Sequence, residues 1–171
     1  HDPLKEMKPQ PEPENPNYPQ ARGVAGRHVP FLDLLDMKPV YTGDGKVEFE
    51  LTIAEKHLRT LGIAHGGVAA ALMDSAVGFA AGTTAPPGYH VVTVQLNVNF
   101  IRPAWEGETL IAKGTVLHAG KQTAVARGEI RTSENYLVAS GMGTFMYIKK
   151  PAGTADMPKG PETERAPTSG E

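Results

Sequence analysis

The sequence predicts an α+β domain in which a curled antiparallel sheet surrounds one long apolar helix. Three observations carry this. KVEFELTI (46–53) and VVTVQLNVNF (91–100) alternate apolar and polar residues, the period of a strand with one buried side. Between them GVAAALMDSAVGFAAG (67–82), rich in helix-forming Ala and Leu, has no polar face and reads as a helix buried all round. Finally, TLIAKGTVLH (109–118), QTAVARGEIR (122–131) and YLVASGMGTFMYI (136–148) follow one another through short turns, which makes them antiparallel neighbours.

Taken along the chain, residues 1–20 hold six of the fifteen prolines and little to bury, so 1–26 is expected to be an extended or disordered tail. The stretch from Lys149 to Glu171 has the same character. The domain then runs from 27 to 148. PFLDLLDM (30–37) has the length of a short helix with Pro at its start, and GDG (43–45) is a turn. In the first long strand Val47, Phe49, Leu51 and Ile53 share a face. Gly82 stops the helix, and TTAPPGYH is a loop. The next strand points Val92, Val94, Leu96, Val98 and Phe100 one way and Thr93, Gln95, Asn97 and Asn99 the other. AGK and TSEN close the two hairpins. The total is five strands and no internal repeat.

Composition narrows the function. A net charge of −2 with no basic block argues against nucleic acid as the main partner. The absence of cysteine rules out disulfides and thiolate metal sites and inclines toward a cytoplasmic location. No run approaches the roughly 18 apolar residues of a membrane span. The chain opens on His1 rather than Met, which leaves room for a removed leader.

One carboxylate stands out. Between Arg59 and Arg102 the only charged residue is Asp74, at the end of HGGVAAALMD (65–74). Gly67, Ala70, Ala71, Asp74, Gly78 and Ala81 fall on one helical stripe of small residues, so another backbone or a ligand can come close. A buried aspartate holding amides or hydroxyls is one reading. The HGG at the helix start supports another. Unpaired N–H groups and the positive end of the helix dipole attract developing negative charge there, and glycine lets a ligand reach them. Asp74 lies about two turns on, roughly 10 Å away. That is too far for both groups to act on one small centre within one chain, so a carboxylate from a second subunit would complete the geometry. Such a pairing is acyl-transfer machinery. His65 reads as shaping the turn, and without Cys or a second ligand at the right spacing a zinc site is not expected. His57, across the loop, adds little.

HLRTLGIAHGGVAAALMDSAVGFAA, followed by VVTVQLNVNFIRPAWEGETLIAKGTVLHAGKQTAVARGEI, resembles the hotdog-fold acyl-CoA thioesterases of the phenylacetate-pathway (PaaI-like) group. PFLDLLDM, AEKHL, LGIAHGG with an aspartate nine residues after the histidine, TVQLNVNF and RPA…G stand in family order, over about residues 28 to 148. The resemblance implies a hotdog fold, a homodimer and commonly a dimer of dimers, active sites at the dimer interface, and hydrolysis of acyl-CoA or similar thioesters. It implies no cofactor, coenzyme A being part of the substrate. By position Asp74 becomes nucleophile or general base, and the N–H of Gly66, with Gly67 as second candidate, the oxyanion donor. His65 orients that turn, and Thr93 helps position water. Arg102, Gly120 and Lys121 become contacts for the CoA phosphates.

This chain departs from the family at one position. Where the family has Asn, as HLNPLG, it reads HLRTLG with Arg59. An amide both donates and accepts, whereas a guanidinium only donates. Arg59 then either pairs with a CoA phosphate or substrate carboxylate, or alters substrate choice and activity. A non-catalytic acyl-CoA-binding or sensing protein is the alternative function, against which Asp74 argues. A hotdog hydratase fits less well, because DSAVGF supplies no histidine after the aspartate. The small residues Ala70, Ala71 and Gly78 leave room for short, medium or aryl acyl groups.

Overall fold

The computed structural model describes residues 29–153. The expected tail 1–26 lies outside the described residues, as does the C-terminal one beyond residue 153. In chain order the elements are α1 (Pro30–Leu34), β1 (Lys38–Gly43), β2 (Lys46–Thr52), α2 (Gly66–Gly82), β3 (Tyr89–Phe100), β4 (Thr109–Ala119), β5 (Thr123–Thr132) and β6 (Leu137–Lys149). The strands form a single antiparallel sheet in the order β1-β2-β4-β5-β6-β3. From β2 the chain crosses one face of the sheet as α2, reaches the far edge as β3, and returns to pair β4 with β2. The helix therefore packs on β2, β3, β4, β5 and β6 alike. The sheet is not closed; β1 and β3 are its edges.

The sixth strand, β1, departs from the five expected. Pro39 and the polar ends of KPVYTG hide its strand character, and proline is tolerated because β1 is an edge. The turn to β2 uses Asp44 and Gly45, both with positive φ (51° and 74°), as a two-residue hairpin of the favoured twist requires.

Helix α2 lies close to its sheet for a specific reason. Gly114, Gly128 and Gly141 are cross-strand partners on β4, β5 and β6, so they form a row without side chains beneath the helix. A methyl at Gly114 would fall on the Ala76 carbonyl oxygen. At Gly128 it would lie 2.5 Å from the Met73 sulfur, and at Gly141 3.1 Å from Met73 Cγ. Leu72, Met73, Ala76, Val77 and Ala80 are consequently sealed against the sheet. Each of the larger ones contributes about 1.5–3 kcal/mol by leaving water. Phe79 meets Phe49 edge-on with ring centroids 5.3 Å apart.

The helix is not buried all round, however. Ala70, Ala71, Asp74, Ser75, Gly78 and Phe79 are half-buried and Gly67 is exposed, so the stripe away from the sheet stays partly open in a single chain. Nor does β3 alternate as its sequence does. A bulge between Thr93 and Gln95 inserts Val94 between two registers. Beyond the bulge Leu96, Val98 and Phe100 pair with Gly143, Gly141 and Ala139. Before it Val91 and Thr93 pair with Tyr147 and Phe145, the latter buried beneath the helix. One extra residue reverses the parity, so Val92 and Val94, expected to be buried, are 38% and 55% exposed.

Among the described residues no helix is long and apolar enough to cross a membrane. The glycine row yields a stability prediction. Gly114→Ala should lower the unfolding free energy in urea by about 3 kcal/mol or more, because the added methyl meets rigid backbone. Gly66→Ala, where the methyl meets only the Phe100 ring at 3.7 Å, should be nearly neutral. Equal stabilities would contradict the close approach.

Candidate active site

The start of α2 is built by three residues. His65 is the N-cap, in extended conformation (φ −63°, ψ 136°), and its Nδ1 accepts the Gly67 N–H at 2.9 Å. Because Nδ1 is the acceptor in that bond, the ring N–H of His65 is the one on Nε2. Its carbonyl accepts from Val68, and its own N–H donates to His57 at 2.8 Å. A side chain at Gly67 would lie 2.9 Å from the His65 ring nitrogen, so glycine is what lets the cap close. With the Gly67 amide occupied, the Gly66 N–H is left without an acceptor among the described residues, at the positive end of a 17-residue helix. The two candidate donors are thereby separated. His57, buried, accepts the Ala54 N–H on Nδ1 (3.0 Å) and donates through Nε2 to Leu35 (2.9 Å), so it ties this loop to α1.

Eight residues on, Asp74 meets Thr93. The Thr93 hydroxyl donates to Asp74 Oδ1 at 2.9 Å, while Oδ2 has no partner among the described residues. The β3 bulge is what makes this possible. Without it Thr93 would share the outward parity of Gln95 and Asn97. The pair opens into a cavity of about 350 Å³ walled by Phe31, Leu32, Phe79, Val91 and Phe145, with Ser75, Gly78 and His90 on its lining. Apolar walls around a single carboxylate–hydroxyl pair make it a pocket for an apolar group beside a hydrogen-bonding centre.

A second cavity, about 270 Å³, lies at the HGG end, where Arg59, His65, Gly66 and Arg102 join Ile63, Val68, Phe100 and Leu110. Asp74 and Gly66 thus open into different cavities of one chain. The two arginines differ. Arg102 is committed: its fork reaches Glu108 at 2.8 and 3.1 Å, and its guanidinium lies 5.1 Å from the Tyr136 ring centre. Arg59 is exposed and makes no side-chain hydrogen bond or ion pair among the described residues. Gly120 and Lys121 sit in the β4–β5 turn, where Gly120 donates to Thr123 at 2.8 Å, and line neither cavity. Among the described residues no group of three or more His, Cys, Asp or Glu could hold a metal ion.

Sequence reasoning missed Glu108, which also accepts the Trp105 N–H at 2.9 Å. The signal was RPAWEGE, an arginine and a glutamate six apart around a turn at Gly107 with φ 86°. It missed the β3 bulge too, which leaves no mark in a perfectly alternating strand.

Residues 61–139 match the thioesterase superfamily. The chain is 31% identical to human acyl-coenzyme A thioesterase 13, over 61% of this chain and 75% of that one. It is similar in structure to the Escherichia coli PaaI protein of the phenylacetic acid degradation operon (TM-score 0.68, 27% identity, 72% and 88% of the two chains). A Streptococcus mutans protein solved with acetyl-CoA bound superposes with a TM-score of 0.62 at 27% identity, covering 67% and 90%.

The Arg102–Glu108 brace predicts a pH dependence. The hydrogen bond from Arg102 holds the Glu108 carboxyl below its ordinary 4.5, and Glu108 in turn raises Arg102. A carboxylate with a depressed folded-state pKa stabilises fully above its unfolded value and loses that contribution as pH falls through the folded one. Stability in urea should therefore drop below about pH 4.5 in the wild type, and Glu108→Gln should lose less over the same interval. Parallel acid limbs would show the pair to be energetically silent.

Proposed function

The chain belongs to the thioesterase superfamily as a PaaI-like hotdog protein, a hydrolase of thioester bonds, and from that premise we propose that it hydrolyses acyl-coenzyme A at sites shared between two subunits. The observation that carries this reading is the Thr93–Asp74 pair. An ionisable group in an otherwise apolar helix is held on one oxygen by a hydroxyl and open on the other.

The chemistry follows from two ends of α2. The thioester carbonyl oxygen accepts the Gly66 N–H and gains negative charge as its carbon is attacked. That donor acts only where charge develops, which is where it accelerates. Asp74 Oδ2 takes a proton from water as the water attacks, the C–S bond breaks, and the thiolate leaves with that proton. The products are a carboxylic acid and free coenzyme A. Direct attack by Asp74 is the other route and forms a mixed anhydride; ¹⁸O from labelled water found in the Asp74 carboxylate after a single turnover identifies it, because direct attack by water labels only the released acid. Thr93 and His65 are positioning residues, one holding Asp74 and the other holding the Gly66 turn. The acyl group takes the cavity beside Asp74, and its size suits short, medium or aryl chains.

The shared site rests on separation and on an open edge. Gly66 and Asp74 lie more than two helical turns apart and face different cavities. β3 is a twelve-residue edge strand without proline, with Val92, Val94 and Phe100 exposed. Such an edge invites a second copy, and the half-open stripe of α2 beside it would be covered by the same contact. A dimer of dimers and a cytoplasmic location are extensions of this reading.

Thiol release from a panel of acyl-CoAs tests it. Asp74→Asn should abolish turnover while substrate still binds. Gly66→Pro should cost about 10²–10³ in kcat. Proline is well accepted at the first helical position, so the helix survives the loss of its donor. Thr93→Val should lower kcat with KM little changed, and Thr93→Ser should restore it. Undiminished turnover by Asp74→Asn would refute the reading.

A further inference from the structure

We infer that Arg59 recognises an oxyanion carried by the thioester substrate, either a carboxylate on the acyl chain or a phosphate of the thiol carrier. The inference names the substrate class of the site proposed above and rests on that reading.

The backbone around Arg59 is firmly placed. Its N–H donates to the Ile63 carbonyl at 2.9 Å, and Leu58 bridges Ala64 on either side of a tight loop. Leu61 and Gly62 turn that loop back with positive φ (69° and 71°). The return strand is pinned by Ala64 donating to Ala104 and His65 to His57, both at 2.8 Å. A residue held this way has a fixed Cα and a free side chain, which suits a recognition role.

Charge then decides what it recognises. Among the described residues, the charged side chains that line the cavity at the HGG end are Arg59 and Arg102. Arg102 is neutralised by Glu108 through both nitrogens of its fork. Arg59 has no carboxylate partner among the described residues. The remaining walls are largely apolar, so among the described residues the cavity carries one uncompensated positive charge, and Gly66, with its free N–H, lines the same cavity. A guanidinium fork in that setting matches the two oxygens of a carboxylate or phosphate, which it binds in bidentate fashion. Surface arginines are commonly satisfied by water. This one shares a cavity with the group that meets the thioester carbonyl, so a charge on the bound substrate falls within its range.

The test separates the two sources of the anion and is independent of turnover. Non-hydrolysable thioethers serve as ligands: S-butyl and S-(3-carboxypropyl) groups, each on coenzyme A and on phosphate-free N-acetylcysteamine. Dissociation constants are measured calorimetrically for wild type, Arg59→Gln and Arg59→Lys. If the anion is the acyl carboxylate, wild type favours carboxypropyl over butyl on both carriers, and Arg59→Gln erases that preference. If it is a phosphate, Arg59→Gln weakens both coenzyme A ligands and neither N-acetylcysteamine ligand. Either loss should be about ten- to hundred-fold, with Arg59→Lys intermediate. Equal affinities of wild type and Arg59→Gln for all four ligands would overturn the inference. Failure of wild type to hydrolyse any thioester would instead sink the proposed function and leave these binding results standing.

Discussion

Helix α2 can lie against its sheet only because Gly114, Gly128 and Gly141 leave a bare track across β4, β5 and β6. Glycine in a strand costs roughly 0.5–1 kcal/mol relative to alanine. Sealing Leu72, Met73 and Val77 more than offsets that. The consequence reaches the chemistry. With one face of the helix pressed to the sheet, its remaining stripe is the one that carries Asp74, and at its start Gly66 and Gly67 stay exposed while Val68 and Ala69 are buried. A helix held further off would have larger residues beneath it and no fixed relation to β3.

The second constraint is a single inserted residue. Val94 has no place in the regular pairing of β3 with β6, and through it Thr93 is turned toward α2 while Leu96 and Val98 keep their inward aim. The same insertion places two valines on the outside. It therefore supplies the hydroxyl that holds Asp74 and, beside it, an apolar edge suited to a second chain. Bulges that re-aim a side chain next to a reactive group are a recurrent device.

Much of this was legible beforehand. The Ala-rich run, the alternating strands and the hairpin turns each follow one local rule, and they appear where those rules put them. Asp74 was conspicuous because a lone charge in an apolar run needs a reason, and its partner Thr93 was already a candidate. What escaped notice was tertiary. β1 is held by pairing rather than by its own pattern, and its Pro39 argues locally against a strand. The glycine row looks like three unrelated weak positions until the strands are registered. That Gly66 rather than Gly67 keeps its N–H free depends on a histidine ring turning back on its own helix. That Arg102 is spent and Arg59 is not depends on Glu108, whose role only the fold reveals.

The central claim is that the two ends of α2 serve different active sites, and subunit complementation tests it most directly. Gly66→Pro and Asp74→Asn chains, each inactive alone, are co-expressed with different tags so that hybrid dimers form. In a hybrid, one site carries both lesions and the other carries neither. A randomly assorted mixture should recover about a quarter of wild-type thioester hydrolysis, and the purified hybrid about half. If the purified hybrid is no more active than its parents, Gly66 and Asp74 act within one chain and the shared site is wrong.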